Sequence, residues 1–457
     1  SLILIGVTLA GWAILALRRP EWRPGTAIWP ALVAPLVAMV LSLLLAELPR
    51  LGVEYVAWAF LLVAIYLLLV RILKTEFARA RIGGLALILG LVVGVAYLGH
   101  VLLLWLDWWE LLGRFELPPL RPMMAGMPFG GPNVVASVMV LLMVLASAGL
   151  GTGTRGRVVS LALLVGISAA VVLVTGSRSS LIGLGGALVL VGGLWLLTNL
   201  GSLSRGVLDR RTISLLVGGA GAVAVTAVVL GPTLLDRLIN SGDGGRPSYW
   251  AAAWRMFEDA PLTGLGPGAW AARRLAYLES GEVDFSVPHA HNVYLQTAAE
   301  IGIVGLVAGV IAGLAVGWLI YRALRSGDAT RVAWAWAVLF GATYLAFVNG
   351  VDFYANLPGV VMLWVIPLAM LDGLATKGIG MPRALAVATT GRLVTILLAL
   401  ACAGAIALLG MAESSASTLD TATKAADEGD WDTARTAATT VAEDDAHAAH
   451  ELMAALT

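Results

Sequence analysis

IGIVGLVAGVIAGLAVGWLIY, residues 301–321, holds no charged side chain and no proline. A helix rises 1.5 Å per residue, so this run is long enough to cross a hydrocarbon core about 30 Å thick. Reading outward in both directions gives about twelve segments of this kind. They are 2–17, 27–46, 54–73, 82–104, 132–150, 158–175, 179–198, 213–231, 301–321, 332–348, 357–373 and 393–411. None alternates apolar and polar residues with the period of a barrel strand, so the spans are helices. The chain is 59% hydrophobic and 13% charged, with a mean hydropathy of +0.88, and a water-soluble surface requires far more charge than that. The 53 glycines suit close helix–helix approach in lipid. The expected fold is all-α, a polytopic integral membrane protein of about twelve transmembrane helices.

Charge sets orientation. Arg and Lys collect in one alternating set of short loops, for example Arg71, Lys74, Arg79 and Arg81, or Arg205, Arg210 and Arg211. The positive-inside rule makes that face cytoplasmic. The other face carries the Trp-rich segment 105–127, the turn at Arg178, a long loop and the C-terminal tail, and all twelve spans thread without contradiction. The expected division is 1–231 for transmembrane helices one to eight and 232–290 for an extracytoplasmic loop bearing active-site residues. Residues 291–411 hold helices nine to twelve, and 412–457 an extracytoplasmic tail. Within the tail, two Ala-rich stretches around Gly429-Asp430-Trp431 resemble a single tetratricopeptide hairpin, the start of an array or a pair resting on the membrane domain. A frayed amphipathic tail is the plainer reading.

Several classes fall away. A formal net charge of zero argues against nucleic acid as a partner. The single cysteine, Cys402, lies in an apolar run and excludes a disulfide framework. The chain opens at Ser1 and its first methionine is Met39, so its native start is expected upstream.

Chemistry concentrates on the outer face. Arg178 sits in Thr175-Gly176-Ser177-Arg178-Ser179-Ser180, a short turn between two spans. It either snorkels to lipid phosphates or, among these hydroxyls, binds a phosphate or pyrophosphate. Arg246 opens a helix with Pro247 behind it. Trp250, Trp254 and Phe257 follow at i, i+4, i+7 and form an apolar stripe for the membrane or for other spans. The glycines of Pro261 to Gly268 lack the strand that a dinucleotide loop needs, and read as a tight turn.

Pro288-His289-Ala290-His291-Asn292 places two of five histidines where the loop re-enters the membrane. Histidine accepts a proton near neutral pH. Asn292, Gln296 and Glu300 share one helical face, expected as the wall of a wet cavity in a helix that either extends 301–321 outward or lies as a separate short one. Asn349, Asp352 and Tyr354, in a turn between two spans, are minor candidates for the same cavity, and Asp107 to Glu110 read as an interfacial belt. No cysteine or carboxylate cluster completes a metal set with the histidines. No cofactor and no metal site are expected.

With these residues in place the chain resembles the bacterial O-antigen ligase/polymerase family, membrane glycosyltransferases that use undecaprenyl-diphosphate-linked glycans. Three motifs carry the resemblance: His291-Asn292, nine residues, then Gly302 and Gly305; the turn at Arg178; and Arg246, Trp250, Trp254, then Asp259 to Gly268. The resemblance implies a glycan donor on undecaprenyl diphosphate, a glycan or glycolipid acceptor, and a metal-independent inverting transfer. The site would face outward from the bacterial cytoplasmic membrane. Arg178 and Arg246 would hold the pyrophosphate, His291 would act on the acceptor hydroxyl, and His289, Asn292, Gln296 and Glu300 would support it. The tail departs from the family pattern and is a candidate surface for a protein partner. The competing classes are a multi-span transporter or flippase for a lipid-linked or anionic substrate and a membrane scaffold. Nearly charge-free spans and the lack of an internal repeat weigh against transport.

Overall fold

The structure is a computed structural model that describes residues 2–113, 131–150, 155–203, 246–278, 289–354, 357–375 and 392–444. Every regular element among these is helical. Before the loop come α1 (Leu2–Arg18), α2 (Trp29–Leu45), α3 (Pro49–Ile72), α4 (Glu76–Leu112), α5 (Pro132–Leu150) and α6 (Arg155–Thr175). Then α7 (Arg178–Ala187) continues through a π turn at Leu188–Gly192 into α8 (Gly193–Leu203). The loop contributes α9 (Arg246–Asp259) and α10 (Ala269–Arg273). After it come α11 (Val293–Leu324), α12 (Ala329–Val348), α13 (Pro358–Ala375), α14 (Arg392–Asp427) and α15 (Trp431–Asp444).

Among the described residues, eight helices are long and apolar enough to cross a membrane, and three shorter apolar ones lie at Ile3–Arg18, Trp29–Leu45 and Val394–Gly410. These account for eleven of the expected segments; the remaining one, 213–231, lies outside the described residues. So do parts of the Trp-rich segment and residues 232–245 and 279–288 of the long loop. Several helices start where the sequence supplies acceptors for otherwise unpaired amides: Thr75 caps α4, Asp328 caps α12 and Ser177 caps α7.

Small residues set the helix crossings. A Cβ on Gly83 of α4 would stand 2.7 Å from the Gly149 Cα of α5, and one on Gly183 of α7 would stand 2.4 Å from a Val348 methyl of α12. Side chains larger than hydrogen would force these pairs apart, which is how glycine supplies packing in lipid. The buried Tyr97, Met139, Leu164 and Trp334 belong to the main core that these crossings enclose.

At the end of the bundle away from the site, the fully buried Asp372 of α13 accepts from the Thr26 hydroxyl, the Ala27 N–H (2.7 Å) and the Tyr66 hydroxyl (2.8 Å). An unsatisfied carboxyl there would cost several kcal/mol, so this cluster fastens the α1–α2 link to α3 and α13. At the other terminus α14 runs without a break past residue 412. It turns at Gly429 (φ +79°) and packs against α15, whose start Asp430 caps through the Thr433 N–H and hydroxyl. The tail therefore begins as a helical hairpin continuous with the last apolar helix; residues 445–457 are outside the description.

Candidate functional site

The site is built on the start of α11. The Asn292 carboxamide oxygen accepts from the Tyr294 and Leu295 N–H groups at 3.0 Å each, a regular N-cap. Its amide nitrogen donates to the Gly350 carbonyl (2.9 Å), while the Val293 N–H donates to the Asn349 carbonyl (2.8 Å). The Tyr294 hydroxyl adds a bond to the Ala346 carbonyl (2.8 Å). These contacts fasten α11 to the α12–α13 turn. The chain enters the cap through His291 at φ +50°, the one described non-glycine residue with positive φ. That conformation costs about 1–2 kcal/mol for an L-residue, so the surroundings must hold it.

They do so partly through Asp352. The His291 Nδ1 lies 3.3 Å from an Asp352 carboxylate oxygen, and the acid side chain is only 8% exposed. The same oxygen accepts from the Phe353 N–H (2.9 Å); the other accepts from Asn133 (2.9 Å), the Ser179 hydroxyl (3.2 Å) and the Tyr354 hydroxyl (3.4 Å). Burial pushes the Asp352 carboxyl up, but the His291 hydrogen bond and the Phe353 and Ser179 donors outweigh it and hold the group below its usual range. An ionised acid on Nδ1 fixes that nitrogen as the donor and leaves the Nε2 lone pair for a substrate proton.

Aromatic rings frame the imidazole. The Tyr249 centroid is 6.4 Å from that of His291, His289 stands edge-on at 4.4 Å, and Phe353 packs on His289 at 5.0 Å. Burial and the neighbouring His291 push the His289 ring below the usual histidine range, with Asp352 opposing weakly. His289 therefore stays neutral near pH 7, and its buried Nδ1 has no hydrogen-bond partner.

Both expected arginines open helices that lead here. Arg178 is the first residue of α7, behind the Ser177 cap, and the next residue is the Ser179 that bonds Asp352. Arg246 is the first residue of α9, one turn before Tyr249, and its buried Nε has no partner. A cation at a helix N-terminus opposes the macrodipole, whereas an anion there is stabilised. Each of the two arginines thus opens a helix whose first turn, through Ser179 or Tyr249, meets the His291–Asp352 pair. Among the described residues, no group of three or more His, Cys, Asp or Glu is arranged to hold a metal ion.

Gln296 and Glu300 depart from the expected wet wall. They are 4% and 7% exposed, and their polar atoms serve backbone groups of the loop. Gln296 accepts from the Ala290 N–H (3.0 Å) and donates to Glu300 (3.1 Å), which also accepts from the Trp270 N–H (3.1 Å). Beyond Glu300 the helix breaks at Gly302 (φ +69°). There the glycine turn of the loop supplies what the break removes. The Leu265 and Gly266 N–H groups donate to the Ala299 and Glu300 carbonyls (3.0 Å each). The Ile303 and Val304 N–H groups donate to the Pro261 and Leu262 carbonyls (2.8 and 3.1 Å). A Cβ on Gly302 would sit 2.4 Å from the Leu262 oxygen, and one on Gly264 2.2 Å from the Glu300 carbonyl carbon. The polar stretch after Asn292 is thus a separate short helix, spliced to the span by the loop.

The Trp stripe points the other way from the loop's core. Helix α9 buries Tyr249, Ala252, Ala253 and Met256 against Trp270, Ala290 and Ala299, while Trp254 is 50% exposed and bonds Glu258. Small alanines allow the close approach to α11 that the bulky stripe would prevent. Asn133 and Ser179 had no distinguishing signal as Asp352 partners. Asp352 itself was legible as the acid in a short turn between apolar spans.

Fold and site together define a multi-span helical membrane protein with a histidine–carboxylate pair among cationic helix starts. Residues 162–310, about a third of the chain, match the family model described as O-antigen ligase. This match supports the O-antigen ligase/polymerase family and, with the apolar helices, a membrane glycosyltransferase-like role in bacteria. It covers Arg178, Arg246, His289, His291, Asn292, Gln296 and Glu300, but neither Asn133 nor Asp352. No curated protein matches the chain.

Proposed function

We propose that this protein transfers a glycan from an undecaprenyl-diphosphate carrier to an acceptor hydroxyl at the outer side of the bacterial cytoplasmic membrane, as a ligase or a polymerase. The observation that carries this reading is the His291 Nδ1–Asp352 hydrogen bond beside two arginine-led helices. His291 takes the acceptor proton at Nε2 while the acceptor oxygen bonds to the anomeric carbon. The carbon–oxygen bond to the diphosphate breaks, and its electron pair leaves on undecaprenyl diphosphate. Attack opposite the leaving group inverts the anomeric centre without a metal. Arg178, Arg246 and the helix starts stabilise the charge that grows on the leaving group. The rest of the protein's contribution is orientation.

An apolar cavity of about 480 Å³ supports a lipid-linked donor. It lies among α2, α3, α11, α12 and α13, reaches Ala346, and is bordered by the exposed Gly313 and Gly317. A hydrocarbon chain entering sideways would find no charged side chain on that lining. The hairpin of α14 and α15 is proposed as a tetratricopeptide-like surface for a protein partner.

Cells lacking the protein test the assignment. Glycans of normal length stranded on the lipid carrier identify a ligase, and shortened glycans a polymerase; unchanged glycans overturn both. Accumulation of an intact substrate in proteoliposomes, without bond formation, would replace the reading with transport.

A further inference from the structure

His291 is held in an unfavourable backbone conformation, φ +50°, so the tethers on either side of it decide where its imidazole points. Asp352 holds the ring, and the residue after it, Asn292, is fixed by donating to the Gly350 carbonyl. The residue before it, Ala290, is fully buried and has its N–H bonded to the Gln296 carboxamide oxygen at 3.0 Å. We propose that Gln296 is a positioning residue for His291, setting the imidazole through the Ala290 amide rather than by touching substrate. This rests on the reading of His291 as the group that accepts the proton.

The carboxamide has one workable orientation. Its nitrogen donates to Glu300 at 3.1 Å while its oxygen faces the Ala290 N–H. A flipped amide would set donor against donor at Ala290 and acceptor against acceptor at Glu300. Glu300 is itself fixed. Its carboxylate accepts from the Trp270 N–H (3.1 Å), and its carbonyl accepts from the Gly266 N–H (3.0 Å) and the Ser42 hydroxyl of α2 (2.9 Å). A continuous set of hydrogen bonds thus runs from a membrane helix and the glycine turn, through Glu300 and Gln296, to the peptide next to His291. With Gln296 4% exposed, water cannot replace the missing acceptor when the side chain is changed.

The test compares Gln296→Met, which keeps the length and loses both polar atoms, with the exchange Gln296→Glu plus Glu300→Gln, which keeps an oxygen for the Ala290 N–H, a donor and an acceptor between the two side chains, and an oxygen for the Trp270 N–H. Both full-length proteins are reconstituted in nanodiscs and checked for folding by thermal melting. Gln296→Met is expected to lower kcat by about 10- to 100-fold, with the donor KM within about twofold. The exchange is expected to restore kcat to within about threefold of wild type. In ¹⁵N-histidine-labelled protein the His291 ring signals, assigned by their loss in His291→Ala, move in Gln296→Met and stay near wild type in the exchange. A folded Gln296→Met with wild-type His291 signals overturns the inference, as does a loss of kcat that those signals do not follow. Should wild type transfer nothing, the proposed function fails, while the ring signals still decide what Gln296 does.

Discussion

Replacing Asp352 with Asn changes one atom and tests the site's electrostatics. The Asp352 carboxylate accepts from His291 and Phe353 on one oxygen and from Asn133, Ser179 and Tyr354 on the other. An Asn can keep the three side-chain donors only by turning its NH2 toward His291. The histidine then presents its Nδ1 lone pair to that group and carries its proton on Nε2, where the acceptor's proton must go. A wrong tautomer of this kind costs roughly 10²- to 10⁴-fold in kcat, or about 3–5 kcal/mol of transition-state stabilisation at 1.36 kcal/mol per decade. Shape is retained, so donor KM changes little, and lost charge-assisted bonds lower stability by about 1–3 kcal/mol. The assay is the initial rate of lipid-diphosphate release by protein shown to be folded. A folded Asp352→Asn enzyme with wild-type kcat would refute the assignment of Asp352 as the group that orients His291.

Arg178→Ala and Arg246→Ala are each expected to weaken donor binding by about tenfold or more, read as donor KM; normal turnover at low donor in both removes the pyrophosphate assignment. Gly302→Ala puts a methyl 2.4 Å from the Leu262 oxygen at φ +69° and should lower the unfolding free energy by about 2 kcal/mol or more, seen as a lower melting temperature. His289 has a folded pKa below its unfolded value, so the unfolded state binds more protons between the two. Stability is fully present above about pH 6.5 and falls as the pH drops through the folded pKa, a slope that His289→Gln should flatten in a melting series.

The spans were legible because lipid demands long uncharged runs. The start of α11 was legible because Asn292 is a strong cap, and the two histidines stood out by rarity. Other features depended on contacts remote in sequence. Gln296 and Glu300 look like a wet polar face, yet they satisfy amides of a loop that no local pattern places beside them. The break at Gly302 is invisible in an apolar run because glycine is equally common inside packed membrane helices. The Trp stripe of α9 carries the stronger hydropathy contrast, but the core took its alanine face, where small side chains let α9 meet α11. Asp372 sits in a segment that reads as a plain span, and only its distant partners Thr26, Ala27 and Tyr66 account for it.

In the proposed transfer, His291 activates an acceptor against a diphosphate-linked glycan. Purified wild-type and His291→Ala proteins, both folded, are given an undecaprenyl-diphosphate oligosaccharide labelled in its sugar, together with candidate acceptors. Wild type is expected to move the label to an acceptor and release undecaprenyl diphosphate, while in His291→Ala the label stays on the lipid. Label that never leaves the lipid in wild type, or leaves equally fast in His291→Ala, would contradict it.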